Sequence, residues 1–108
     1  MEDEILHLYQ EPAIGASYTN TYGEENICNL LTKYRNLDKE GMQQMMKIVV
    51  NFSQSNDLAT SFVSVGVLHA LGQNEGVAEA YSWANTQEDA ERIISHFEIG
   101  KSVADYFS

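Results

Sequence analysis

The sequence predicts an all-α fold: a compact single-domain bundle of five to seven short helices, covering residues 1–108, around a buried central helix at about residues 57–71. Apolar residues recur at spacings of three and four along most of the chain, which is typical of amphipathic helices. One segment is apolar nearly all round, as a buried helix is. Hydrophobic residues make up 44% of the 108 positions, enough for one core in a domain of common size.

The N-terminal part of the chain predicts two helices separated by a loop. Residues 2–9 begin with three acids, which favour a helix N-terminus, and their apolar residues share one face. Pro12 and Gly15 interrupt this pattern, so residues 11–23 are typical of a loop. Residues 24–37 then give the clearest amphipathic stripe in the chain. Its apolar members are Ile27, Leu30, Leu31, Tyr34 and Leu37.

The third predicted helix follows Asp38, which is placed to act as its N-cap. The run 48–50 could instead form a strand, but the helical period holds over three turns and favours a helix up to Phe52. Three methionines lie at helical spacing: Met42, Met45 and Met46. A core face is the common role of such a stripe, and an adaptable binding surface is the alternative.

The central helix is predicted to begin after Asn56 or Asp57, either of which can cap it, and to end at Gly72. Its residues leave little polar surface, so it should be buried. Gly66 lies inside it and costs roughly 1 kcal/mol of helix propensity relative to alanine. Close approach of a neighbouring helix would explain a glycine at this position.

The rest of the chain predicts helices at residues 75–84 and 87–98 and a final apolar turn or short helix at 103–107. Gly100 is predicted to end the second of these helices. Asn85 or Thr86 is predicted to cap its start, and Glu88 and Asp89 are placed to complete a start like a capping box.

Charge is distributed unevenly. The chain carries 16 Asp and Glu against 6 Lys and Arg, a formal net charge of −10, and residues 48–91 contain no Lys or Arg. Nucleic acid and anionic lipid both require a basic patch, so neither is an expected ligand. A basic protein is favoured as partner, although the charge could simply keep the protein in solution.

The expected location is the cytoplasm. No apolar run is long enough to span a bilayer, and the start Met-Glu-Asp-Glu lacks the basic and apolar segments of a secretory signal. The single cysteine, Cys28, suits a reducing compartment and is predicted to be a small core residue.

No motif predicts catalysis, a metal or a cofactor. The histidines His7, His69 and His96 stand on separate segments, without the second ligand at short spacing that a zinc helix needs. His69 is expected to be a hydrogen-bonded core residue. No sequence feature marks Cys28 as a nucleophile, no glycine-rich phosphate loop is present, and no acid stands out by an apolar setting. The chain is therefore predicted not to be an enzyme.

The best candidate for a binding site is the segment 75–91. Its acids lie opposite the apolar face of the predicted helix, and Trp83 lies at the margin. A tryptophan flanked by acids fits an interface hot spot surrounded by charges that steer a basic partner. The alternative is a half-buried tryptophan on an ordinary polar face. The predicted partner-binding residues are Glu75, Glu79, Trp83, Glu88, Asp89 and Glu91.

In size, acidity and helix content the chain resembles the small acidic helical immunity proteins of bacterial nuclease toxins, of the colicin or contact-dependent growth inhibition type. The resemblance covers the whole chain but includes no motif, so no family residue is carried over. It implies that the protein binds and neutralises a basic toxin domain, such as a nuclease, by covering a basic surface.

Two other functions fit the same charge. An acidic nucleic-acid mimic could inhibit a nuclease or a DNA-binding protein, and it should space its carboxylates like phosphates along one face. A regulatory or scaffold interaction domain would carry its charge incidentally, and salt should affect its partner binding little.

Overall fold

The computed structural model describes residues 1–10 and 23–107, and these residues form six α-helices and no strand. This confirms the predicted all-α bundle, including a helix rather than a strand at residues 48–50. The predicted loop at 11–23 falls, apart from Gly23, outside the described residues. The helices are α1 Glu2–Gln10, α2 Glu24–Arg35, α3 Lys39–Phe52, α4 Leu58–Ala70, α5 Asn74–Ala84 and α6 Ala90–Ala104.

The boundaries of α3 and α4 form as their cap residues predict. The Asp38 carboxylate accepts a hydrogen bond from the Gly41 backbone N–H at 2.7 Å, and Asp57 accepts one from the Thr60 N–H at 3.2 Å. Each bond satisfies a donor that the first turn of a helix leaves free. Gly72 adopts a left-handed φ of 69° and ends α4.

The segment predicted as the central helix corresponds to α4, which packs against α2, α3, α5 and α6. Its buried residues are Ser61, Val63, Ser64, Val65, Gly66, Val67 and Leu68. Phe62 is only partly buried, and it packs against both hydrophobic clusters of the core. In α3 the three methionines differ, because Met45 is fully buried whereas Met42 and Met46 are half-buried.

Helices α4 and α6 meet through two glycines. A Cβ atom on Gly66 would lie 2.8 Å from the carbonyl oxygen of Gly100, and a Cβ on Gly100 would collide with the carbonyl oxygen of Phe62. The predicted close approach at Gly66 is confirmed. The prediction that Gly100 ends a helix is wrong, because α6 continues through it to Ala104. A glycine is needed here because the two backbones lie too close together for a side chain, and not because the helix ends.

The start of α6 also differs from the prediction. The helix begins at Ala90, and its N-cap residue Asp89 makes no side-chain cap hydrogen bond. The hydroxyl of Thr86 instead donates a hydrogen bond to the preceding helix, at the Trp83 carbonyl, at 2.6 Å. That hydroxyl therefore bonds the C-terminal end of α5 rather than the N-terminus of α6.

Polar contacts fix α1 on the core. The buried Tyr9 hydroxyl is hydrogen-bonded to the Ser64 hydroxyl of α4, and the Tyr9 ring meets Phe52 edge to face at 5.1 Å between centroids. The Asn26 amide donates to the carbonyls of Leu8 and Tyr9 at 2.9 and 3.1 Å. These bonds satisfy carbonyls that the last turn of α1 would otherwise leave free.

Candidate functional site

The candidate site is centred on Trp83, in the last turn of α5. Its side chain is half-buried and packs against a small hydrophobic cluster. The buried members of that cluster are Val65, Ala80, Ala84, Ile93 and Phe97. One part of the indole is thus fixed by the core while another part remains accessible, the arrangement that suits an amphipathic anchor at an interface.

The connection after α5 is tied to the main chain of Trp83. The Trp83 carbonyl accepts hydrogen bonds from the Thr86 backbone N–H at 3.0 Å, from the Thr86 hydroxyl at 2.6 Å and from the Gln87 side-chain amide at 3.5 Å. These bonds close the turn that follows α5 and fix the main chain at Trp83.

Trp83 forms a wall shared by two adjacent grooves. We call them the polar groove, with a volume of about 410 Å³, and the open groove, with a volume of about 460 Å³. The polar groove is lined by Ser55, Asn56, Asp57, Leu58, Ser61, Trp83, Gln87, Asp89, Arg92 and Ile93. The open groove is lined by Gln54, Glu79, Ser82, Trp83 and Thr86.

The structure brings together three of the six residues that the sequence predicted. Glu79 lines the open groove, Asp89 lines the polar groove, and Trp83 lines both. The other three are exposed but line neither groove: Glu75, Glu88 and Glu91.

The glutamates of this region are available to a partner. Glu75, Glu79, Glu88 and Glu91 are exposed and form no ion pair or side-chain hydrogen bond with the residues that the structure describes. A charge without an intramolecular partner contributes its full field to an approaching ligand.

The α3–α4 connection adds residues that sequence reasoning did not assign to the site. Ser55, Asn56 and Asp57 line the polar groove from this connection. One oxygen of the Asp57 carboxylate also accepts hydrogen bonds from the hydroxyl and from the backbone N–H of Thr60. The only signal in the sequence for this residue was its capping role.

Arg92 is a second residue that the prediction missed. It lines the polar groove and lies 3.7 Å from the Asp89 carboxylate. The base-free stretch ends one position before it, so the acidic site includes a positive charge. Both side chains are largely exposed, which makes this a weak, solvent-screened pair.

Neither groove is lined by a histidine or by Cys28 among the described residues. His69 is half-exposed and pairs with Asp105 at 2.8 Å, so it is hydrogen-bonded as predicted but is not a core residue. The His96 Nδ1 lies 2.8 Å from the Arg92 carbonyl oxygen. Cys28 is half-buried rather than fully buried. Within residues 1–10 and 23–107 no three His, Cys, Asp or Glu side chains form a group able to hold a metal ion.

Comparisons with known proteins give no relative: no family model, curated protein or solved structure matches the chain. Across the described part of the chain, none of the helices combines the length and the apolar character needed to cross a bilayer.

Proposed function

We propose that this protein is an immunity-type inhibitor. It binds a basic toxin domain of the nuclease class and blocks the surface that the toxin needs for its activity. The observation that carries the proposal is the placement of Trp83. It is a half-buried indole between two grooves, with the unpaired Glu79 lining one of them and the exposed, unpaired Glu75, Glu88 and Glu91 on the same segment of chain. Such an anchor surrounded by charge is the usual anatomy of a tight interface with a basic partner.

Charge and anchor would act at different stages of binding. The exposed glutamates attract a basic domain and raise the rate of encounter, since opposite charges steer association. Trp83 then loses its remaining contact with water against the partner and slows dissociation. An inhibitor of a toxin requires both a fast approach and a long-lived complex.

The proposal includes no catalytic step, and it places the protein in the cytoplasm, where a nuclease toxin would act. Each groove is lined mainly by polar and charged side chains, and among the described residues no lining hydroxyl is hydrogen-bonded to a lining carboxylate.

The test is a rescue experiment with the neighbouring gene. The C-terminal domain of the protein that this neighbouring gene encodes is expressed in a bacterial host, with and without the present protein. Growth and nucleic-acid integrity are then measured. We expect the domain to be toxic alone and harmless with the wild-type chain. The variant Trp83→Ala/Glu79→Lys/Glu88→Lys, folded by circular dichroism, should fail to rescue. A non-toxic neighbour, or rescue by this variant, would contradict the proposed site and function.

The nucleic-acid mimic remains the second candidate, because the unpaired glutamates of α5 and the following turn would also suit it. Only an inhibitor anchored on an indole should depend strongly on Trp83. If Trp83→Ala rescues fully while the glutamate reversals do not, the mimic is the better description.

A further inference from the structure

The basic residues of this acidic protein are not all used in the same way. Three of the six pair with acids: Lys33 with Glu4 at 2.6 Å, Arg92 with Asp89 at 3.7 Å and Lys101 with Glu98 at 3.1 Å. The side chain of Arg35 donates to the Phe107 carbonyl at 3.4 Å.

Lys39 and Lys47 are the exceptions. Both are exposed, and neither forms an ion pair or side-chain hydrogen bond with the described residues. Both lysines lie on α3, in a chain that contains 16 acids.

These two lysines line the same groove. Its volume is about 480 Å³, and we call it the methionine groove. It is lined by Tyr34, Lys39, Met42, Gln43, Met46, Lys47 and Gln73. Met42 and Met46 are half-buried, unlike their neighbour Met45, so part of each residue remains accessible. Flexible, polarisable methionines adapt to different apolar side chains.

Among residues 1–10 and 23–107, none of those that line the methionine groove carries a carboxylate. The nearest acids in sequence on this helix segment, Asp38 and Glu40, line a different concavity. The described lining therefore combines the apolar side chains of Tyr34, Met42 and Met46 with two lysines that form no ion pair, in a molecule of formal net charge −10. Its charge is the opposite of that around Trp83, so one kind of partner cannot suit both surfaces.

We propose that the methionine groove docks an acidic amphipathic helix of a protein partner. Lys39 and Lys47 are eight residues apart on α3, a separation of about 12 Å along the helix axis. Two carboxylates eight residues apart on a bound helix would match them. Apolar side chains between those carboxylates would rest on Met42 and Met46, as an amphipathic helix rests in a groove. This inference does not depend on the function proposed for Trp83.

The probe is a synthetic helical peptide with two glutamates eight residues apart and two leucines between them. It is titrated into protein labelled with ¹³C at its methionine methyl groups. We expect saturable shifts of the Met42 and Met46 signals and much smaller shifts of Met45. A peptide with lysines in place of the glutamates should bind at least about tenfold more weakly, because two charge pairs are lost and repulsion replaces them.

Lys39→Gln/Lys47→Gln should weaken binding of the acidic peptide about five- to tenfold, while Lys101→Gln, a lysine outside the groove, should leave it unchanged. The double variant alters two exposed charges, and its unfolding midpoint should stay near wild type. Lys101→Gln also removes the ion pair with Glu98 and the contact with the Tyr81 ring, so its unfolding midpoint is measured before its binding is compared. Absent methyl shifts, equal affinity for the reversed-charge peptide, or full binding by the double variant would overturn the proposal. Methyl shifts that depend on protein concentration without peptide would overturn it as well, by assigning the groove to a second copy of the chain.

Discussion

The hydroxyl of Tyr9 in α1 is hydrogen-bonded to the hydroxyl of Ser64 in α4, across 55 positions of the sequence. The Ser64 hydroxyl in turn donates to the Thr60 carbonyl at 2.8 Å. This chain of bonds lets a tyrosine hydroxyl and a serine lie in the core without an unsatisfied polar atom. It also ties the N-terminal helix to α4, which packs against α2, α3, α5 and α6.

Tyr9→Phe should therefore destabilise the protein by about 1 kcal/mol at neutral pH, since it removes this hydrogen bond and leaves Ser64 one partner. Burial raises the pKa of the Tyr9 hydroxyl above its usual value of 10.0. A folded-state pKa above the unfolded one gives a contribution that is complete below pH 10 and is lost as the pH rises beyond it. The difference in the free energy of unfolding between the wild type and Tyr9→Phe should thus shrink above pH 10.

Urea unfolding at pH 7 and pH 10.5 measures this effect. Ser102→Ala, an exposed hydroxyl on α6, serves as a control that should change stability little at either pH. A Tyr9→Phe deficit that grows rather than shrinks at high pH would contradict the assigned burial of the hydroxyl.

Gly66→Ala should destabilise the protein by about 1–3 kcal/mol, although alanine is the better helix former. The new methyl group would meet the Gly100 carbonyl, which belongs to a backbone and cannot rotate away, so α4 and α6 must separate. Ser95→Ala, on the exposed face of α6, is the matched control and should be neutral or slightly stabilising. Thermal unfolding compares the two, and a stabilised Gly66→Ala would show that the helices are not in close contact.

Asp57 has a structural role and a proposed binding role, and two substitutions separate them. Asp57→Asn keeps a cap and should change the free energy of unfolding by only a few tenths of a kcal/mol, whereas Asp57→Ala should cost about 1 kcal/mol. Both remove the negative charge from the polar groove, so both should slow association with a basic partner. If only Asp57→Ala affects binding, stability rather than charge explains the effect.

Substitutions of the acidic residues and of Trp83 itself should change different rate constants of partner binding. Reversing Glu79 and Glu88 to lysine should mainly slow association and flatten its salt dependence, because rim charges act during encounter. Trp83→Ala should mainly speed dissociation, by about 30-fold or more if the loss reaches 2 kcal/mol.

Surface plasmon resonance against the partner found by the rescue experiment, at two salt concentrations, measures both rates. Glu2→Lys/Glu40→Lys changes the net charge equally at exposed acids outside both grooves. If this control slows association as much as the Glu79 and Glu88 reversals do, only the total charge matters and the proposed site is wrong.

The fold was predictable where a signal is local. Asp38, Asp57 and Gly72 mark helix boundaries because capping and left-handed backbone geometry involve only neighbours along the chain. Gly100 was misread because a glycine that ends a helix and a glycine that admits another backbone look the same in a sequence. Only the position of Phe62 across the α4–α6 contact separates the two cases.

The candidate site was predictable only within one stretch of chain. Glu79, Trp83 and Asp89 belong to the predicted segment, and the structure places them at adjoining grooves. The residues of the α3–α4 connection were missed because helical periodicity gives the inward face of each helix but not which helices meet. The unpaired state of Lys39 and Lys47 was also invisible, since ion pairing depends on tertiary position.

Trp83 is the one tryptophan in the chain, and it is the wall between the two grooves. Its fluorescence therefore originates from this surface and from nowhere else in the protein. A partner that excludes water from the indole should shift its emission maximum to shorter wavelength. A partner that binds only the methionine groove should leave the emission maximum unchanged. The same side chain proposed to anchor a partner would thus reveal, without any label, which of the two surfaces a given ligand has occupied.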